Sequence, residues 1–214
     1  MSLSKNQKIS RFIIAIDGPS ATGKTTLSKA LAKATNFPLL LTGKIYRAFA
    51  KILLDENITT DDISGIIKRL AYFDLSIMDK DLDNEQIAKT ASIISSIPEV
   101  RKIADQLQFD FIKQNPEGIL EGRDIGTVIC PDADLKIFLT ASAEVRAQRR
   151  LAESNNSDYS EVLKQIMERD QRDSSRAISP LIPAQDAVII DNSNLSQKQQ
   201  LEKVLSLLPN IILS

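Results

Sequence analysis

The sequence predicts an α/β fold: a parallel, doubly wound sheet of about five strands with helices on both faces. Three observations carry that expectation. A continuous apolar run, Phe12-Ile13-Ile14-Ala15-Ile16, leads into the glycine-bearing loop Gly18-Pro19-Ser20-Ala21-Thr22-Gly23-Lys24-Thr25, which in turn opens an apolar helical pattern. Short all-apolar runs recur downstream, as strands buried on both faces require. Segments of helical spacing alternate with them, which winds the strands into a parallel sheet and sets the loop at its carboxyl edge.

Taken in order, the first strand covers Phe12 to Asp17. The helix after the loop runs through about Ala34, with Leu27, Ala30, Leu31 and Ala34 at i, i+3, i+4 and i+7 as its buried stripe. Phe37 to Leu41 is a second short strand, with Pro38 tolerable near its start. Thr42-Gly43 leads a helix from about Lys44 to Leu54 that carries Tyr46 and Arg47 on its first turn. Asp61-Asp62 is a start signal for a helix to about Tyr72. Leu75 to Met78 is a weak strand candidate, and Asp79 to Asn84 a turn or loop. Helices follow over about Glu85 to Ser96 and Pro98 to Gln114, the proline suiting a first helical position. Ile119-Leu120 leads a buried strand into Glu121-Gly122-Arg123-Asp124, and Leu135 to Leu139 is another strand. Helical patterns cover Ala143 to about Glu153 and Tyr159 to about Arg176. Between them Ser154 to Asp158 has no apolar anchor and is expected to be mobile. Ala187 to Ile190 is the last core strand, and Gln197 to Leu208 a closing amphipathic helix.

Composition narrows the function classes. The 214 residues suffice for one α/β domain. A net charge of −1 gives no basic field for nucleic acid, so the expected partner is a small molecule. The absence of histidine removes histidine triads, histidine bases and zinc–histidine sites. Cys130 is the only cysteine, which rules out an intramolecular disulfide and fits a reducing compartment. Met1 to Arg11 is polar and reads as neither signal peptide nor anchor, and no run approaches the ~20 apolar residues of a membrane helix. A cytoplasmic protein is the expectation.

The loop itself is a phosphate cradle. Its glycines let successive N–H groups turn inward, and the following helix adds its positive N-terminal end toward the same anion. Lys24 would reach the β- and γ-phosphates, Thr25 offers a hydroxyl where such loops hold Mg²⁺, and Thr26 lies beside it. Phosphoryl transfer then needs positive charge aimed at the moving group, and arginine supplies it in a fixed fork. Arg47 and Arg123 each follow a strand end; Arg146, Arg149 and Arg150 crowd one helix; Arg169, Arg172 and Arg176 share a face of another at i, i+3 and i+7. Standing alone, such a stripe is a solvated surface, with Asp170 and Asp173 paired locally within the helix. Beside a nucleotide loop it becomes a grip for anions.

Four segments together resemble the bacterial cytidylate kinase family: Ile16 through Thr25; Thr42-Gly43-Lys44-Ile45-Tyr46-Arg47; Gly122-Arg123-Asp124-Ile125-Gly126-Thr127-Val128; and Glu168-Arg169-Asp170 through Arg176-Ala177. The resemblance spans about residues 11 to 208 and is most specific in the Gly-Arg-Asp segment. It implies the nucleoside monophosphate kinase form of the P-loop fold and transfer of the γ-phosphoryl group of ATP, with Mg²⁺, to CMP or dCMP. It also implies one domain over 1–214: a core of about 11–55, 115–150 and 177–214, a monophosphate-binding cap of about 56–114, and a lid of about 151–160.

The same resemblance implies roles. Gly18 to Thr26 would bind ATP, with Arg146 against the adenine and Thr25 on the metal. Thr42, Arg101 and Asp124 would read cytosine through its amine donor and ring acceptor. Arg47, Arg123 and Arg176 would hold the CMP phosphate; Asp173, with Arg169, would reach the ribose, and Ser92 the sugar as well. Lys24, Arg123, Arg176 and Arg150 would neutralise the transferring group, Arg150 and Arg149 belonging to the lid. The family expectation is a monomer without nucleic-acid or membrane partners. Blander roles stand beside these: Thr42 as a helix cap, Arg123 and Asp124 as a plain ion-paired turn, Tyr46 as packing, Ser92 as an ordinary helix position, and Glu121 as structural rather than a water-mediated metal contact.

The segment between Phe73 and Pro98 is shorter than the small β-rich insertion of many family members, and Thr42 stands where the family commonly has serine. Two other classes remain. A shikimate- or gluconate-type kinase would not need the set around Asp124. A nucleotide switch would need a base-reading Asn-Lys-x-Asp segment, which is absent.

Overall fold

Period-two alternation along the first strand decides which helices cover which face of the sheet. The structure, a computed structural model, describes residues 11–74, 82, 84–152, 158–209 and 212. Five strands, β1 (Phe12–Asp17), β2 (Leu39–Leu41), β3 (Glu117–Glu121), β4 (Leu135–Thr140) and β5 (Val188–Asp191), form one sheet in the order β2-β3-β1-β4-β5. Every pairing is parallel, with Ile16 opposite Glu121 on one side and Ile137 on the other. Among the described residues, eight α-helices pack around it: α1 (Lys24–Thr35), α2 (Thr42–Asp55), α3 (Ile63–Leu70), α4 (Glu85–Ile94), α5 (Pro98–Gln114), α6 (Ala143–Ala152), α7 (Tyr159–Ser174) and α8 (Gln197–Leu205).

Ile14 and Ile16 of β1 face one core layer, where Ile119, Ile137, Leu139 and Ile190 meet Leu27 and Leu31 of α1 and Val204 of α8. Ile13 and Ala15 face the other, where Leu40 and Leu120 meet Phe49 and Leu53 of α2, Ile66 of α3, Ile94 of α4 and Ala104 of α5. A small third cluster, Ala147, Val162 and Ile166, joins α6 to α7. This is the doubly wound α/β architecture that the apolar runs predict.

Caps explain most helix starts. Asp62 accepts from Gly65 N (2.8 Å), Asn84 from Gln86 N (2.8 Å), and Asp158 from Ser160 N (2.9 Å). Pro98 is the first residue of α5, and Ser196 with Gln199 forms a capping box on α8.

Several expectations need correction. The buried stripe of α1 is Lys24, Leu27, Ser28, Leu31 and Thr35, while Ala30 is half-buried and Ala34 exposed, because three of the inward positions hold polar residues that apolar spacing does not mark. α2 begins directly after β2 with Thr42 inside the helix and Leu41 as its N-cap, so Thr42 does not cap it. α7 ends at Ser174, so Arg176 lies beyond it, and Arg172 is exposed rather than sharing a face with Arg169. A turn of π-helix, Ile125–Ile129, follows the Gly-Arg-Asp segment and was not predicted. The strand candidate Leu75 to Met78, most of Asp79 to Asn84, and Ser154 to Ser157 lie outside the described residues.

Candidate active site

Parallel strands all end on the same edge, so the residues after β1, β2, β3 and β5 are brought together although far apart in sequence. A cavity of about 1120 Å³ lies there. Its lining carries ten lysines and arginines against four carboxylates, on a chain whose overall net charge is −1. Such a concentration of positive charge is a site for anions.

The loop between β1 and α1 forms one wall, from Ser20 to Thr26. Gly18, with φ +144°, lies where a Cβ would come within 2.0 Å of Leu139 O, so only glycine lets the loop leave the sheet at this point. Gly23 is the N-cap of α1, at φ 86°. Lys24 is buried and donates from Nζ to Pro19 O (2.6 Å). Burial, aided by the nearby Arg123 charge, pushes its pKa down to about 7, the mark of a cation held without a full counter-charge. Thr25 Oγ1 donates to Glu121 Oε2 at 2.9 Å, joining the start of α1 to the end of β3.

Opposite the loop, a carboxylate gathers arginines. Asp173, on the last turn of α7, accepts from Arg123 Nε at 3.1 Å and from Arg176, and Arg169 Nε stands 3.8 Å away. Burial alone would raise the Asp173 pKa, but Arg123, Arg176 and Arg169 outweigh it and hold the carboxyl below its ordinary value. Arg169 is lowered to about 10 by burial and by Arg123. Arg47, on the second turn of α2 because that helix starts at Thr42, donates to Leu82 O (2.9 Å) and lines the same cavity.

A second ion pair lies deeper. Arg101 of α5 donates to Asp124 and to Ser95 O (3.2 Å), and its side chain and that of Asp124 are 4% and 9% exposed. Asp105, one helical turn on, stands 3.9 Å from Arg101. Burial and the Asp124 charge raise Asp105 to about 6, against the pull of Arg101. Thr42 Oγ1 donates to Glu121 O (2.9 Å), which fixes its hydroxyl beside Gly122. Ser92 and Tyr46 also line the cavity, and neither hydroxyl has a partner among the described residues. The Tyr46 ring packs edge-on to Phe49.

Three predicted residues are not on the lining. Gly18 and Pro19 lie behind the loop wall. Arg146, expected against a base, is buried instead between α6 and α7, where it pairs with Asp170 (2.5 Å) and donates to Ala141 O and Ser20 O. Asp170 therefore pairs across helices, not within its own. Arg149, expected over the phosphates with Arg150, lines the cavity as Arg150 does, and it also donates to Asn192 Oδ1 (3.0 Å) and Asn192 O (2.9 Å).

Sequence reasoning missed two residues. Asp17, buried at the end of β1, accepts from Ile125 N (2.9 Å) and Gly126 N (2.8 Å), tying the π-turn to the sheet edge, and burial raises it to about 6. Its signal was present: a carboxylate closing an otherwise apolar strand. Asn192 left no such signal in a polar loop.

The cytidylate kinase family profile matches residues 14–210. The cytidylate kinase of Bartonella bacilliformis is 42% identical over 206 residues, covering 94% of this chain and 96% of that protein. That of Brucella suis biovar 1 is 44% identical over 197 residues, covering 90% of each. Among solved structures, the shikimate kinase of Bacteroides thetaiotaomicron superposes with a TM-score of 0.52 at 12% identity, over 92% of this chain and 97% of that one, a likeness of fold alone.

Proposed function

The chain belongs to the cytidylate kinase family, and on that premise we propose that it transfers the γ-phosphoryl group of ATP to CMP or dCMP, yielding ADP and CDP or dCDP. The observation that carries this reading is the convergence of Lys24, Arg47, Arg123 and Arg176 on one cavity that also holds the Arg101–Asp124 pair. Two anionic groups can meet there, one on the loop and one on the arginines.

In this reading Ser20 to Thr26 hold the triphosphate, with Lys24 on its terminal phosphates. Arg47, Arg123 and Arg176 hold the monophosphate. Asp124, fixed by Arg101, accepts from the cytosine amine; Thr42 and Arg101 face the rest of the base edge. Asp173, Arg169 and Ser92 face the sugar, and the unpartnered Ser92 hydroxyl is free for that contact. A monophosphate oxygen forms its bond to the γ-phosphorus as the bridging bond to ADP breaks, and the electron pair leaves with the ADP oxygen. The acceptor is already an anion, so no base is required; alignment and charge neutralisation by Lys24, Arg123, Arg176 and Arg150 suffice. Arg146 supports the loop through Ser20 O.

The residues also fit a divalent ion. Thr25 Oγ1 and Glu121 form an all-oxygen pair at the loop, the donor type Mg²⁺ takes when it retains several waters and binds substrate phosphates. Thr25 would hold it and Glu121 would orient its shell; once bound, such an ion neutralises β- and γ-oxygen charge. Core, cap and lid follow the boundaries given above, with α2, α4 and α5 bearing the monophosphate side. No helix among the described residues is long and apolar enough to cross a membrane. A cytoplasmic monomer completes the reading.

The test is a panel of acceptors with Mg·ATP and purified protein. CMP and dCMP turned over faster than UMP, AMP and shikimate are the expected result. Faster turnover of shikimate or AMP would replace the reading with another P-loop kinase.

A further inference from the structure

We infer that Asn192 is a positioning residue for ATP, acting with Arg149 to hold the Thr22–Gly23 peptide so that its N–H faces the cavity. The inference deepens the kinase reading and rests on it. Asn192 follows the last residue of β5 and is fully buried; its backbone N–H donates to Thr140 O at 2.8 Å, so the sheet fixes where its side chain begins. From there Nδ2 donates to Thr22 O at 2.6 Å and to Gln200 Oε1 at 3.0 Å, while Oδ1 accepts from Arg149 Nη1 at 3.0 Å. Arg149 Nη2 returns to Asn192 O at 2.9 Å, and Arg149 Nη1 adds a longer contact to Thr22 O at 3.4 Å. A carbonyl acceptor on one side and a guanidinium donor on the other leave the Asn192 amide a single satisfactory orientation.

The consequence follows from the planar trans peptide, in which C=O and the next N–H point in opposite directions. Pinning the Thr22 carbonyl toward β5 and α6 turns the Gly23 N–H the other way, toward the cavity that Gly23 lines. The clamp is needed because Gly23 has φ 86° and open space around its Cα, so the peptide before it meets little steric resistance to rotation. A rotated peptide would present a carbonyl, not an amide, to a phosphate. Asn192 thus supplies the rigidity that the glycine lacks.

The test uses the full chain with Asn192→Leu, which keeps the volume and neutrality of the side chain, and with Asn192→Ala, which decides the matter should the leucine variant not fold. Mg·ATP and CMP are titrated separately by calorimetry. Releasing the Thr22 carbonyl is expected to weaken ATP binding by ~10-fold or more, the scale of a buried acceptor left unpaired. CMP affinity should stay within about twofold, and KM for ATP should rise without a matching rise in KM for CMP. Unchanged ATP affinity overturns the inference, as does an equal loss for both ligands, which would mark Asn192 as purely structural. A wild-type protein that binds neither nucleotide overturns the kinase reading beneath it.

Discussion

Arg101→Met probes the pair at the base of the cavity. Methionine keeps most of the apolar stem but removes the cation that faces Asp124, whose side chain is 9% exposed. An uncompensated buried carboxylate then remains, with Asp105 a further acid 3.9 Å from the lost guanidinium. Breaking one partner of such a buried pair typically costs about 3–5 kcal/mol, whereas removing both charges together is near neutral. Equilibrium urea unfolding of the unliganded protein should therefore show Arg101→Met destabilised by about that amount, a large share of the ~5–15 kcal/mol of an ordinary domain. The double variant Arg101→Met/Asp124→Leu should recover most of the loss. Kinetics add a second readout, since a carboxylate no longer fixed in place should lower kcat/KM for CMP by at least ~100-fold, about 2.7 kcal/mol of transition-state stabilisation. A single variant costing under ~1 kcal/mol, or a double variant that sums the two losses, would refute the reasoning.

Two further outcomes follow from the geometry. Gly18→Ala would drive a Cβ to 2.0 Å from Leu139 O at φ +144°, so unfolding by urea should show a loss above ~3 kcal/mol or a loop unable to bind ATP; wild-type stability with intact ATP binding would contradict the close approach. Asp105 is raised from 3.8 to about 6, so between those values the folded state holds a proton that the unfolded chain has released, and wild-type stability falls as pH rises through the window. Asp105→Asn does not titrate, and its stability relative to wild type should improve from pH 4 to pH 6.5 by about 1 kcal/mol, discounted for the partial exposure of the group, then level off. A stability of the variant that falls relative to wild type over that range would reverse the assigned sign.

The first strand was legible because it is buried on both faces and apolar up to its last residue, so Phe12 to Asp17 could be bounded to the residue, whereas β5 carries an exposed Ile189. The phosphate loop was legible because glycine, lysine and threonine at fixed spacing have few other uses after a strand. Amphipathic spacing misplaced the buried stripe of α1, since Lys24 occupies an inward position that hydrophobicity would never assign to lysine. The arginine stripe failed in another way: α7 stops at Ser174, so Arg176 reaches Asp173 from beyond the helix, while Arg172, still helical, is exposed. The π-turn at Ile125–Ile129 depends on Asp17 capturing two backbone amides from a distant segment, which no local pattern encodes. Arg146, Arg149 and Asn192 likewise owe their positions to partners 24 to 170 residues away, such as Asp170 and Thr22. Residue type marked the arginines as candidates; only the fold sorted those that face the cavity from those that brace its walls.

A crystal structure of the protein with CMP and a non-hydrolysable ATP analogue bound together tests the central claim most directly. The account predicts the CMP phosphate within hydrogen-bond distance of Arg47, Arg123 and Arg176, the cytosine amine on Asp124, and the triphosphate on Lys24 across the same cavity. CMP seated elsewhere, or a phosphate touching none of the three arginines, would contradict it.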